Sequence, residues 1–214
     1  GRPLPSGMIS PVHATVYGVL STIASLMLLA WGVNMLAASL AMLTLSIYVF
    51  AYTPLKVRST ANTLVGAVVG AIPPMIGWAA VTGGLETGAW LLGSILFAWQ
   101  MPHFLALAWM YRKDYALGGF RMLPMINPHG RLTAKMALLY CGVLILLGLA
   151  AGWYAITGWL FVLSATVLGL WFMRAAWVWW KDRSDQKARR LFLASVMYLP
   201  LLLTCMIVDH LLIT

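Results

Sequence analysis

The residues with the most chemistry in this 214-residue chain lie between Trp99 and Pro124, in WQMPHFLALAWMYRKDYALGGFRMLP. Gln100 and His103 stand inside an apolar run. Arg112, Lys113, Asp114, Tyr115 and Arg121 follow where the run gives way to charge. Eleven residues separate His103 from Asp114. In an unbroken helix, at roughly 100° and about 1.5 Å per residue, these two side chains would share a face about 16 Å apart. Gln100 falls near that face, and Pro102 makes the alignment approximate. Unpaired polar groups in hydrocarbon cost on the order of several kcal/mol, so a polar stripe descending from a charged rim needs a purpose. It suggests a site that holds something polar at the rim and something larger and flatter below. Gly118 and Gly119 are expected to end any helix there, because glycine is a poor helix former.

A second group of candidates, Tyr52, Lys56 and Arg58, lies in YTPLKVRSTAN. Cations beside hydroxyls grip phosphate oxygens, and arginine does so bidentately. A carboxylate among phosphates commonly recruits Mg²⁺, which keeps substrate oxygens and water in its shell. Asp114 by itself would make a poor magnesium site, so a second acidic cluster has to come from elsewhere. For any one of these Lys or Arg residues, fixing membrane topology is the simpler role. The company of tyrosines, Thr-Pro and Gly-Gly breaks and a lone carboxylate favours the chemical one.

The elements that must position these residues are membrane spans. The chain is 62% hydrophobic and 9% charged, with a mean hydropathy of +0.89, too apolar for a soluble domain of this size. Its net charge of +9 invites a nucleic-acid reading, but the cations sit in short clusters between apolar runs, the positive-inside pattern of an integral membrane protein. Seven spans are legible, at about 12–31, 35–52, 63–81, 88–109, 134–156, 159–180 and 191–212, each near the ~20 residues that cross the bilayer. They form one all-α transmembrane bundle and one domain, 1–214. The basic loops alternate with turns that carry no basic residue, which predicts cytoplasmic basic loops, an inside N-terminus and an outside C-terminus. Pro73-Pro74 is expected to bend the third span. Gly66-xxx-Gly70 and Gly148-xxx-Gly152 read as close helix packing, and Trp171, Trp177, Trp179 and Trp180 as an interfacial belt with Arg174 snorkelling beside it. Cys141 and Cys205 read as small buried hydrophobes. His13, His129 and His210 are isolated.

Tyr52 to Ala80, YTPLKVRSTANTLVGAVVGAIPPMIGWAA, and Trp99 to Pro124 resemble the protoheme IX farnesyltransferases, or heme O synthases, within the UbiA-type superfamily of intramembrane prenyltransferases. RPLPSGMIS, Arg2 to Ser10, is similar to the segment after that family's first acidic motif. The likeness covers essentially the whole chain, and the WQ-P-H-F pattern is its most specific part. It implies a nine-helix bundle, of which the seven spans here are the last, with two N-terminal helices and the aspartate-rich motif absent. It implies transfer of a farnesyl group from farnesyl diphosphate to a vinyl group of heme b in a bacterial inner membrane. Tyr52, Lys56, Arg58 and Asp114 then fall in the catalytic region, and Lys56, Arg58, Arg112, Lys113 and Arg121 at the diphosphate. Asp114 would share Mg²⁺ with the absent motif, and without that motif the chain is expected to be inactive. Gln100 and His103 would hold heme, although His103 could equally be a buried histidine donating to a carbonyl or to Gln100. A heme A synthase or oxidase assembly factors would be partners, and nucleic acid would not. Two departures limit the likeness: Val57 stands where many relatives carry a further cation, and one Asp precedes Gly118 where quinone-type relatives carry paired acids.

Two other functions fit less well. Another branch of the superfamily, acting on a quinone ring or chlorophyllide, would lack the WQ-P-H-F pattern. A transporter would line its path with broken helices near mid-membrane, whereas this chain has no internal repeat and its charges gather at one end.

Overall fold

The computed structural model describes residues 3–154 and 156–213. Arg2, the first cation of the predicted inside loop, lies outside them. The described residues form an all-α bundle with seven helices long and apolar enough to cross a membrane. These are α1 (Pro11–Gly32), α2 (Met35–Leu55), α3 (Asn62–Thr82), α4 (Thr87–Met110), α7 (Arg131–Trp153), α8 (Trp159–Lys181) and α9 (Asp185–Ile213). Two short helices, α5 (Arg112–Leu117) and α6 (Leu123–Ile126), lie in the long basic loop. The predicted spans are recovered, with the fifth shifted: α7 begins at Arg131 and ends at Trp153, short of Ile156, and Ala155 lies outside the described residues.

Local chemistry sets the helix ends. Ser10 caps α1 by accepting from the His13 N–H at 3.2 Å, with Pro11 in the first turn, a position where its missing N–H costs nothing. Asn34 caps α2 by accepting from Ala37 N–H and ties it to the last turn of α3 by donating to the Ala79 carbonyl, both at 2.8 Å. The start of α8 is capped from another helix. Asp209, buried in α9, accepts from the N–H groups of Gly158 at 2.6 Å and Phe161 at 3.1 Å. Its negative charge meets the positive end of the helix dipole there. This carboxylate went unremarked in the sequence.

α4 is the hub, packed between α3, α7 and α9, while α1 buries none of its residues. The main core runs from Leu91, Ile95 and Leu105 on α4 through Leu144 on α7 and Phe172 on α8 to Tyr198 on α9. Gly148 and Gly152 admit Ala165 and Val162 of α8 at close range, as the small-residue spacing predicts. The tryptophan belt needs correction. Trp171 and Trp177 are exposed, but Trp179 is fully buried, edge-on to Trp109 at 6.2 Å. It is a core residue, because its position in α8 turns it toward the end of α4.

Candidate active site

Three basic loops meet at one end of the bundle. Two are fastened through their backbones: the Arg121 N–H donates to the Lys56 carbonyl at 2.8 Å, and the Arg121 carbonyl accepts from Asn62 Nδ2 at 2.7 Å. The same Asn62 amide donates to the Ser59 carbonyl at 2.6 Å. Asn62 is fully buried, so both donations hold carbonyls that water does not readily replace. The third loop joins through Arg112, whose guanidinium donates to Asp185 Oδ1 at 2.7 Å and to the Trp109 carbonyl at 2.6 Å. Its carbon lies 4.6 Å from the centre of a Trp109 ring. Arg112 therefore closes the end of α4 onto α9, away from the other loop cations.

Beneath the first two loops lies a cavity of about 260 Å³ between α2, α3 and α4. Its mouth carries Tyr52 and Tyr115, and Gln100 lies deeper along α4. Pro54 cannot donate a backbone hydrogen bond, and ahead of it α2 widens into a π-helical turn over Ile47–Tyr52. The Thr53 N–H and hydroxyl both donate to the Tyr48 carbonyl, the hydroxyl at 2.8 Å. Such bulges recur at functional sites. This one sets the Tyr48 and Tyr52 rings 5.3 Å apart, with Lys56 Nζ 4.4 Å from the Tyr52 centroid and 5.5 Å from that of Tyr48. The ammonium is held over two aromatic faces at the mouth.

Gly66 and Gly70 also line the cavity. A Cβ on Gly66 would press on the Tyr52 ring, and one on Gly70 would overlap the Gln100 amide. The close helix packing predicted for this pair is present, with Tyr52 of α2 seated against Gly66 and Gln100 of α4 against Gly70. Tyr48, Asn62, Thr63 and Tyr115 complete the polar lining. Burial, and then the neighbouring Tyr111, hold the Tyr115 phenol above the usual tyrosine range, so it remains neutral at physiological pH.

The stripe expected from His103 to Asp114 does not exist. α4 ends at Met110, the chain turns at Tyr111 (φ −102°, ψ 22°), and Asp114 rides on α5. Gln100 and His103 also part company. Gln100 faces the cavity, whereas His103 faces α9, its Nδ1 2.8 Å from Ser195 Oγ. The imidazole stacks on Trp99 at 5.1 Å and lies 4.8 Å from Phe192. Ser195 donates its one hydroxyl hydrogen to the Phe192 carbonyl at 2.5 Å. Its oxygen is then the acceptor, His103 Nδ1 carries the proton, and Nε2 keeps the lone pair. The partner of His103 is thus a hydroxyl, neither Gln100 nor a carbonyl.

α5 closes as expected at the glycine pair. Gly119 adopts φ +72°, and the N–H groups of Gly119 and Phe120 return to the carbonyls of Ala116 and Tyr115. Phe120 meets Tyr115 edge-on at 5.9 Å, completing a Schellman-type stop. Arg58, Lys113, Asp114 and Arg121 are exposed at this end. Asp114 offers one carboxylate, and the described residues contain no group of three or more His, Cys, Asp or Glu able to hold a metal. The donors present do not fit a resident magnesium ion. Of the predicted site residues, the fold gathers Tyr52, Lys56 and Gln100 around the cavity, and above it the Arg121 guanidinium donates to the Arg58 carbonyl at 3.4 Å. It places Arg112 and His103 against α9. Tyr48 and Asn62 escaped prediction, although Asn62, a polar residue opening a membrane helix directly after a basic loop, was a usable signal.

A model of the UbiA prenyltransferase family matches residues 1–196. The chain is 43% identical over 210 residues to the protoheme IX farnesyltransferase of Solibacter usitatus, covering 98% of this chain and 72% of that one. It is 44% identical to the mitochondrial protoheme IX farnesyltransferase of Arabidopsis thaliana and 42% identical to that of Homo sapiens. Those matches cover 95% and 96% of this chain but only 47% and 46% of the relatives, so the chain spans about half the length of the mitochondrial proteins. A solved structure of a digeranylgeranylglyceryl phosphate synthase shares the fold, with a TM-score of 0.79 at 18% identity over 98% of this chain and 73% of that one.

Proposed function

Since the chain belongs to the UbiA prenyltransferase family, we propose that it transfers a farnesyl group from farnesyl diphosphate to a vinyl group of heme b, giving heme O. The names of its relatives support the substrates. The observation that carries the chemistry is the 260 Å³ cavity lying directly under two fastened, cation-bearing loops. The allylic C–O bond breaks, and diphosphate leaves with the electron pair. The vinyl carbon attacks the farnesyl cation, water adds to the new cationic carbon, and the proton lost from that water leaves with the diphosphate.

The chain's own residues serve the first step. Lys56, Arg58 and Arg121 supply positive charge where negative charge grows on the leaving group. Lys113 adds to the attraction, and Arg112, committed to Asp185, acts through the position of α4. The rings of Tyr48, Tyr52 and Phe104 form a wall that keeps water from the allylic cation. Magnesium, when carboxylates beyond Asp114 are supplied, would add Lewis acidity at the diphosphate. With Asp114 as the one carboxylate beside the diphosphate cations, the 214-residue chain alone is inactive in this proposal. His103, with Nε2 bearing the lone pair, is preset to ligate heme iron, in the manner of ligating histidines whose other nitrogen is committed to a hydrogen bond. The protein sits in a bacterial inner membrane with its basic end cytoplasmic.

Expression in membranes devoid of heme O, with and without a co-expressed acidic two-helix segment, tests the proposal by mass analysis of extracted hemes. Heme O is expected only with the segment. Prenylation of a quinone ring or chlorophyllide, with heme untouched, would assign the protein to another branch. Heme O from the chain alone would remove the need for further carboxylates.

A further inference from the structure

A second concave site lies at the same end of the bundle but on its far side, between α8 and α9. Arg174 of α8 and Lys187 and Arg190 of α9 line a cavity of about 250 Å³ with Trp171 and Val178. Trp171, Arg174, Val178 and Lys181 recur at steps of three and four, so they follow one line of α8. Lys187 and Arg190 do the same on α9. Arg174 lies seven residues before the end of α8, about 10 Å inward, and Arg190 five residues into α9, about 7.5 Å inward. Cations at that depth normally have an anion or reach water. Among the described residues the one ion pair is Arg112–Asp185, so these three have no carboxylate.

Below the cavity the same surfaces are apolar and exposed, through Val167 and Leu170 on α8 and Leu193 and Met197 on α9. We propose that this groove binds an anionic phospholipid, its phosphate between Arg174, Lys187 and Arg190 and its acyl chains along the α8–α9 face. Guanidinium groups from two helices can take separate oxygens of one phosphodiester. Trp171, ten residues before the end of α8 and so about 15 Å inward, meets the start of the acyl chains rather than the headgroup, and basic pockets between helices are a known form of headgroup site. The apolar continuation favours a lipid over free phosphate, which would use the cations alone. The site is separate from the cavity under α2–α4 and does not depend on the activity proposed for it.

The test is native mass spectrometry of the chain released from nanodiscs containing equal phosphatidylglycerol and phosphatidylcholine with the same acyl chains. One retained phosphatidylglycerol is expected, preferred about tenfold, with the preference weakened by salt. Arg174→Gln with Arg190→Gln should reduce the preference to near parity. Arg189→Gln, whose side chain does not line the cavity, should leave it intact. Circular dichroism and size-exclusion profiles establish that each variant is folded, and Lys187→Gln alone, with a partial loss, serves if the double variant is not. Equal retention of the two lipids by the wild type, full preference in the double variant, or displacement by inorganic phosphate as readily as by lipid would each overturn the proposal.

Discussion

Lys56 shows how a single residue is prepared for a leaving group. Its ammonium lies over the Tyr48 and Tyr52 rings, and its carbonyl anchors Arg121. The first contact depends on the side chain and the second does not. Lys56→Ala should therefore spare the loop but raise the KM for farnesyl diphosphate roughly ten- to hundredfold, the equivalent of a charge-assisted contact of ~1.5–3 kcal/mol. Arg58→Ala should act alike, and steady-state kinetics with separate heme titrations check both. Loss of heme affinity at an unchanged diphosphate KM would refute the assignment. For His103, the expected outcome is an altered absorbance of bound heme in His103→Ala and His103→Gln, with farnesyl diphosphate binding unchanged. Ser195→Ala provides a finer measurement, because it removes the acceptor of Nδ1–H without touching the ring. A smaller spectral shift is expected there. Identical spectra in all three variants would make His103 a packing residue of the α4–α9 contact.

At the scale of elements, the site depends on two loops holding one geometry, and Asn62 at the start of α3 is the fastener. Asn62→Ala leaves the Ser59 and Arg121 carbonyls without its amide, a loss of about 1–3 kcal/mol for buried groups. Asn62→Asp keeps the shape but, when ionised, cannot donate. Both variants should lower the thermal midpoint and raise the KM for farnesyl diphosphate, although neither removes a cation. Calorimetry combined with kinetics measures this. A lowered midpoint with kinetics intact would mean that the loops stay positioned without the clamp. Gly70→Ala is an element-scale change of another kind, since a Cβ there must displace the Gln100 amide. It should crowd the cavity and raise the KM for farnesyl diphosphate while leaving the absorbance of heme at His103, which faces α9, unchanged, as kinetics and heme titrations in parallel would show.

Across the whole molecule, the hydrogen bonds confirm that the basic loops share an end, through Asn62–Arg121 and Arg112–Asp185. The cytoplasmic assignment of that end leads to a topology prediction. In a background with Cys141→Ala and Cys205→Ala, a cysteine at Lys113 should resist an impermeant maleimide applied to intact cells and react after lysis. A cysteine at Gly84, in the turn without cations between α3 and α4, should react from outside. The reverse pattern would invert the bundle and place the diphosphate site on the wrong side for a cytoplasmic donor.

Composition and spacing alone determined the membrane class, the seven spans, the shared end of the cations and the stop at Gly118-Gly119. Each is a property of a short window: hydrophobic length, charge count or backbone freedom. The close approach at Gly148 and Gly152 was legible for the same reason. Which side of a helix looks into a cavity is not such a property. α4 is packed between three neighbours, and a helix apolar all round carries no readable face. Gln100 and His103, three residues apart, therefore looked like one stripe until α3 claimed one and α9 the other. The break at Tyr111, the capture of Arg112 by Asp185, the burial of Trp179 and the capping of α8 by Asp209 likewise follow from partners distant in the chain. Only tertiary packing brings those partners within reach, and hydrogen bonds and ion pairs act over a few ångströms in space regardless of separation in sequence.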